Sequence, residues 1–129
     1  MLNDQLANAL SAILNAERIG RKELVIRPSS KTTKKVLEVM NDNQYIGEVQ
    51  ETKDNRGGSI KVNLLGNIND CGAIKPRFSV KRDLYEKFEK RFLPAKGMGL
   101  IVISTSQGIM TQEDAKKKNL GGKLLAYCY

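Results

Sequence analysis

The chain has 129 residues, which suits one compact domain or two small lobes that share an interface. Lys and Arg number 22 against 14 for Asp and Glu, so the formal net charge of +8 favours an acidic partner, and nucleic acid is the commonest one. Three Phe, four Tyr and no Trp argue against a platform on which single-stranded bases stack, and favour contacts with backbone and shape.

The start of the chain lacks the charged head, continuous apolar core and small-residue cleavage site of a signal peptide, and no stretch reaches the length of a membrane span. We therefore expect a cytosolic protein with no membrane partner. Cys71 and Cys128 have no CxxC neighbour and the sequence has no histidine, so we expect no zinc site and no other metal or cofactor. Both cysteines are expected to be free, partly buried thiols.

The first elements are predicted from apolar spacing and from residues that end helices and strands. Helical spacing indicates a first helix that Gly20 ends, and the apolar run Leu24–Ile26 indicates a strand. Ser30 can cap a second helix, which carries Lys31 in its first turn and runs to about Asn43.

The chain then divides at a change of composition. Residues 45–52 and 59–64 predict a hairpin, because alternating apolar residues flank a turn rich in Asp, Asn and Gly. These elements form an α-β-α-β-β amino-terminal lobe over residues 1–65. The polar, glycine-rich stretch Gly66–Gly72 marks the boundary, and we expect residues 66–129 to form a β-rich carboxy-terminal lobe with short helices. The predicted class is α/β, of the α+β kind.

The second lobe opens with a predicted strand over residues 74–81, in which Lys75 and Arg77 share one face. The continuous apolar run Leu100–Ile103 predicts a central strand that is buried on both faces. The other elements expected in this lobe are a short helix (83–92), a polar turn, a helix near residues 111–119 that Thr111, Glu113 and Asp114 cap, and a final strand (123–129).

The most informative segment follows the predicted central strand. Ser104, Thr105 and Ser106 offer three consecutive hydroxyls that can each donate and accept hydrogen bonds, and Gln107 adds an amide. Such a loop suits the shallow groove of RNA, where sugar hydroxyls and base edges need both hydrogen-bond donors and acceptors. Gly108 lets the backbone turn. The alternative is a plain strand-to-helix turn whose hydroxyls satisfy local backbone groups.

An enzymatic interpretation of these segments fails on chemistry. Thr105–Gly108 is similar to a nucleophile elbow, but Ser104 stands where that motif needs glycine and no histidine exists to act as a base. Gly121–Lys123 suggests a phosphate loop, but Lys117 and Leu124 replace two of its required residues. We therefore predict no enzyme and no small-molecule substrate, and interpret Gly121 and Gly122 as a simple turn.

Basic residues cluster in three places. Each cluster alone is typical of a solvated face, but together, with a net charge of +8, they favour phosphate binding. The clusters lie on the strand face of the second lobe (Lys75, Arg77, Lys81), at the start of the second helix (Lys31, Lys34, Lys35) and at the end of the last helix (Lys116, Lys117, Lys118).

Two sets of residues resemble a known family over nearly the whole chain. Those similar to the carboxy-terminal signature of small-subunit ribosomal protein S-eight (S8) are Ile101–Met110, Ala115-Lys116 and Gly121-Gly122-Lys123. Those similar to its eukaryotic and archaeal branch, whose eukaryotic cytosolic form is called S-fifteen-a, are Arg27–Lys31, Tyr45–Glu48, Cys71-Gly72 and Pro76–Phe78. The chain departs from that branch at Asn119-Leu120 and at its end, Tyr127–Tyr129.

The resemblance implies two α/β lobes and a structural protein of the small ribosomal subunit in the cytoplasm, passing through the nucleolus during assembly if the source is a eukaryote. It implies binding to a helix in the central domain of small-subunit ribosomal RNA, support of platform assembly, and neighbouring small-subunit proteins as partners. The Ser104–Ser106 segment would be the main RNA-binding element, with Ser30 and Lys31 as a further RNA-facing position. A free RNA-binding regulator of translation would share the same surface, so the sequence leaves that alternative open.

Overall fold

The computed structural model describes residues 5–27, 31–52, 58–74, 78–81, 84–94 and 98–129. The chain divides into two compact units, Met1–Cys71 and Gly72–Tyr129. The boundary predicted from the sequence lies six residues earlier, between residues 65 and 66. The described ranges contain four helices and eight strands, and the strands form two antiparallel sheets. This confirms the mixed α/β class. None of the helices in these ranges is both long and apolar enough to span a membrane.

The amino-terminal unit has the predicted order of elements. They are α1 (Gln5–Arg18), β1 (Glu23–Ile26), α2 (Lys31–Asp42), β2 (Ile46–Thr52) and β3 (Ser59–Leu64). The strands form an antiparallel sheet in the order β1-β3-β2, so the predicted β2–β3 hairpin and first strand lie side by side. The predicted cap of α2, Ser30, lies outside the described residues.

The core of this unit follows from the periodicity of its helices. Leu6, Leu10 and Ile13 recur at helical spacing along α1 and are almost fully buried. Their counterparts on α2 and the sheet, also buried, are Val36, Leu37, Met40, Ile46, Ile60 and Val62. Burial of each such side chain stabilises the fold by about 1.5–3 kcal/mol before the entropy cost of ordering it.

The second sheet contains the predicted central strand. The remaining elements are β4 (Cys71–Ala73), β5 (Ser79–Val80), α3 (Tyr85–Phe92), β6 (Leu100–Thr105), β7 (Gly108–Thr111), α4 (Gln112–Lys117) and β8 (Gly122–Cys128). The strand order is β4-β8-β6-β7, and β5 also pairs with β8. Because β6 lies between β8 and β7 and Leu100–Ile103 are buried, the prediction of a central, doubly buried strand is confirmed.

Two predictions for the second lobe are wrong in detail. Within the single strand expected over residues 74–81, the described residues form only the short strand β5, since β4 ends before this range at Ala73 and Ile74 and Lys81 lie outside strands. Both Lys75 and Arg77 lie outside the described residues. The polar turn expected after Ile103 is mostly a hairpin, because β6 continues to Thr105 and pairs with β7 from Gly108 onward. Short strands of this kind depend on the neighbouring strand and leave little periodicity in their own sequence.

The junction between β7 and α4 depends on two polar side chains. Pairing between β6 and β7 ends at Val102 and Thr111, and the buried Gln112 continues it, because its Oε1 accepts a hydrogen bond from the Ile101 N–H at 2.7 Å. Thr111 Oγ1 accepts from the Asp114 N–H at 3.3 Å, so the predicted capping role of Thr111 is confirmed. The end of the hairpin and the start of α4 are therefore fixed together.

The core of the second unit lies on the β6 face that carries Ile101 and Ile103. α3 contributes Tyr85 and Phe88 to this core, and α4 contributes Ala115. Other buried members of the cluster are Ile74, Val80, Leu93, Met110 and Leu124.

Neither cysteine forms a disulfide bond, and both are almost fully buried where partial burial was expected. The thiol of Cys71 donates a hydrogen bond to the Leu10 carbonyl at 3.5 Å. Burial, aided by the nearby charges of Asp70 and Glu17, raises the pKa of Cys71 from 9.0 to about 12. The Cys71 thiol therefore stays protonated at neutral pH, which suits a structural residue.

Candidate RNA-binding surface

The turn of the β6–β7 hairpin exposes two polar side chains, Ser106 and Gln107. The neighbouring Thr105 hydroxyl is used locally: it donates to the Gly108 carbonyl at 2.8 Å and accepts from the Gln107 N–H at 3.2 Å. Gly108 has a φ of +120°, which few residues other than glycine adopt, so it permits the tight turn. The alternative, in which the hydroxyls bond to nearby backbone groups, thus holds for Thr105, while Ser106 and Gln107 face solvent.

Ser104 belongs to a row of side chains that crosses four strands. It pairs with Ile109 on β7 and with Lys123 on β8, and Lys123 pairs in turn with Ser79 on β5. Directly paired residues of antiparallel strands project to the same face of a sheet, with Cβ atoms about 4.5–5.5 Å apart. Ser79 and Lys123 are exposed, and Ser104 and Ile109 are partly exposed. We call these four residues the hydroxyl–lysine row.

Lys123 was not among the binding residues predicted from the sequence. Its position depends on Gly122, where a Cβ atom would lie 2.2 Å from the backbone oxygen of Ser104 and 2.8 Å from Cγ2 of Ile103. Only glycine lets β8 start this close to β6, and the interpretation of Gly122 as part of a simple turn is therefore wrong. The Gly-Gly-Lys motif was visible in the sequence, but only the strand register places Lys123 opposite Ser104.

The hairpin and the row together present hydroxyl, amide and ammonium groups from four adjacent strands, and these groups can contact a polyanion that also carries hydroxyls. A sequence model of the family described as Ribosomal protein S8 matches residues 4–129.

The chain belongs to the ribosomal protein S8 family. Its members are structural ribosomal proteins and not enzymes, which places this chain in the ribosome with ribosomal RNA and other ribosomal proteins as partners. The match spans both compact units. Across the described ranges, no group of three or more His, Cys, Asp or Glu residues could hold a metal ion.

The lysines at the end of α4 differ in what they contact. Lys117 and Lys118 are exposed. The ammonium of Lys116, in contrast, binds Oε1 of Glu89 on α3, and that carboxylate is buried. Of the two α4 lysines predicted to contact RNA in this S8-family chain, Lys117 is open to a phosphate group, whereas Lys116 is neutralised within the protein.

The predicted contacts at the start of α2 lie in the other compact unit. Lys31 is the first residue of α2 and is exposed. Nζ of Lys34 lies 3.7 Å from Oε1 of Glu51, and Nζ of Lys35 lies 3.7 Å from Oε2 of Glu38. The structure therefore brings Ser104–Gly108 together with Lys123 in one unit and describes Lys31 separately.

Proposed function

We propose that this S8-family chain is a structural constituent of the small ribosomal subunit that binds a helix in the central domain of its ribosomal RNA. In this role it supports platform assembly and translation beside neighbouring small-subunit proteins. We propose a cytoplasmic location, with passage through the nucleolus during assembly if the source is a eukaryote. The observation that carries the proposal is the hairpin turn, where Ser106 and Gln107 are exposed next to the hydroxyl–lysine row.

The proposed binding lobe is the carboxy-terminal one, and its groups match the chemistry of an irregular RNA helix. The Ser106 hydroxyl and the Gln107 amide can each donate and accept, as can sugar hydroxyls and base edges. A regular RNA helix hides most base edges in a deep, narrow major groove, whereas an internal loop exposes them. The exposed ammonium groups of Lys117 and Lys123 are suited to flanking phosphates.

Further contacts are proposed where the sequence predicted them. Ser30 and Lys31 would approach RNA from the start of α2, and the exposure of Lys31 is compatible with this. Lys75 and Arg77, which lie outside the described residues, would add phosphate contacts through their charged side chains.

A competition experiment tests the proposed function. The labelled RNA is a fragment of the central domain that contains an internal loop, and the competitors are the unlabelled fragment and a perfect duplex of equal length. We expect the looped fragment to compete at least about tenfold better, because each base edge or hydroxyl correctly paired contributes about 1–3 kcal/mol. Equal competition by both RNAs would reduce the protein to a general polycation and would refute the proposal.

Sedimentation separates a ribosomal constituent from a free regulator. We expect a tagged copy to sediment with small subunits and full ribosomes at one copy per subunit, and to crosslink to the central domain. Recovery only in ribosome-free fractions, crosslinked to a messenger RNA, would instead support the regulator.

A further inference from the structure

The end of α4 is held from α3 by two side chains that lie one helical turn apart. The Tyr85 hydroxyl donates to the Leu120 carbonyl at 2.6 Å, and the Glu89 carboxylate binds the ammonium of Lys116. Tyr85 and Glu89 are four residues apart and share one face of α3. Their two partners are also four residues apart. We call Tyr85, Glu89, Lys116 and Leu120 the α3 clamp.

The clamp is largely withdrawn from solvent on its α3 side. The Glu89 side chain is 7% exposed and Tyr85 is 1% exposed, whereas the Lys116 side chain is 39% exposed. A buried carboxylate needs a charged partner, because its desolvation is otherwise uncompensated. Lys116 therefore has a structural task that Lys117 and Lys118 do not share, since neither of them forms an ion pair with a residue that the structure describes.

The clamped segment leads directly into the hydroxyl–lysine row. After α4 the backbone turns at Asn119, whose φ is +56°, and the Leu120 N–H donates to the Ala115 carbonyl at 2.9 Å. One residue, Gly121, separates Leu120 from Gly122, which pairs with Thr105 at the hairpin. A shift of the end of α4 would consequently move the start of β8, and Lys123 with it.

We infer that Lys116 is a positioning residue: through Glu89 it fixes the α4–β8 connection on α3, and so holds Gly122 and Lys123 in register beside the hairpin. This inference rests on the proposed function and deepens it. It also revises the role predicted for Lys116, since an ammonium already neutralised by Glu89 displaces few counterions from RNA.

A double-mutant cycle with a matched control tests the inference. The variants of the full chain are Lys116→Gln, Glu89→Gln, the double variant, and Lys117→Gln with and without Glu89→Gln. We expect Lys116→Gln to weaken binding of the looped RNA about threefold or more with an unchanged salt slope, and Glu89→Gln in the same chain to restore affinity and melting temperature. Lys117→Gln should lower the salt slope by about 0.7–0.9, and Glu89→Gln should not restore it.

A spectroscopic measurement without RNA reports the positioning itself. In Lys116→Gln the amide resonances of Thr105, Gly122 and Lys123 should shift, and in the double variant they should return towards their wild-type positions. If Lys116→Gln does not fold, the double variant carries the test, and it must bind RNA with the wild-type affinity and salt slope.

Two results would overturn the inference. A lower salt slope in Lys116→Gln that Glu89→Gln fails to restore would make Lys116 a phosphate contact. Unchanged affinity together with unmoved resonances would show that the clamp does not set the row. Failure of the wild-type chain to bind the looped RNA would refute the proposed function instead, and the cycle of melting temperatures and resonances would still measure the clamp.

Discussion

Gln112 is a buried polar side chain that completes a backbone hydrogen bond of the central strand. Its Oε1 accepts from the Ile101 N–H at 2.7 Å, beyond the point where β7 stops pairing with β6. We expect Gln112→Met to lower the free energy of unfolding by about 1–3 kcal/mol, because that N–H would be left buried and unpaired. Denaturant unfolding measures this change.

The matched control is the same substitution at the exposed Gln107. There the effect on stability should stay within about 0.5 kcal/mol. If Gln112→Met destabilised the protein no more than Gln107→Met, the assigned hydrogen bond would contribute nothing to the fold.

Cys71 should make stability depend on pH in the alkaline range. Its pKa rises from 9.0 to about 12 on folding, so between these values the folded state keeps a proton that the unfolded state loses. This contribution to stability is fully present below pH 9 and is lost as the pH rises towards 12. We expect Cys71→Ala to lose stability less steeply than the wild type above about pH 9 in denaturant titrations. Parallel curves for the two proteins would contradict the assigned shift.

At the scale of elements, most of the fold could be predicted because it depends on local periodicity. α1 and the buried strand β6 each carry a pattern long enough to identify them. β7 was missed because Gly108–Thr111 is too short to show a pattern, and its pairing partner β6 determines its conformation. The strand predicted over residues 74–81 was too long for the same reason, because its described part contains only the two-residue strand β5.

Only the part of the candidate site that is contiguous in the sequence could be predicted. The hydroxyls of Ser104–Ser106 stand together in the sequence, and the structure keeps them at the hairpin. The position of Lys123 requires the register of β8, and the pairing of Lys116 with Glu89 joins residues 27 apart. No local pattern could have separated Lys116 from Lys117.

The connection from α4 to β8 depends on a left-handed residue. Asn119 has a φ of +56°, and its N–H donates to the Lys116 carbonyl at 3.1 Å. We expect Asn119→Val to lower the free energy of unfolding by about 1–2 kcal/mol, because a β-branched side chain disfavours this conformation. Asn119→Gly should not destabilise the protein, since glycine is the commonest residue at this position of a helix end. Thermal unfolding of both variants separates the two causes. Loss of the Asn side chain would destabilise both variants equally, whereas backbone strain would destabilise only Asn119→Val.

At the scale of the whole molecule, the net charge of +8 predicts how RNA binding responds to salt. Each phosphate contact should add about 0.7–0.9 to the slope of the logarithm of affinity against the logarithm of salt concentration. We expect a slope of about 3 or steeper for the wild type with the looped RNA, which corresponds to several lysine and arginine contacts. Titration of affinity over a range of salt concentrations measures it, and a flat response would contradict phosphate binding.

The most direct test of the account compares Ser106→Ala with two neighbours, in melting temperature and in RNA affinity on the same samples. Ser106→Ala should weaken binding of the looped RNA by about 1–3 kcal/mol with unchanged salt slope and stability, because it removes an exposed hydroxyl and no charge. Thr105→Val should mainly lower stability, since that hydroxyl bonds the turn itself, and Lys117→Gln should mainly lower the salt slope. Unchanged RNA affinity of folded Ser106→Ala would contradict the assignment of this hairpin as the RNA-binding element.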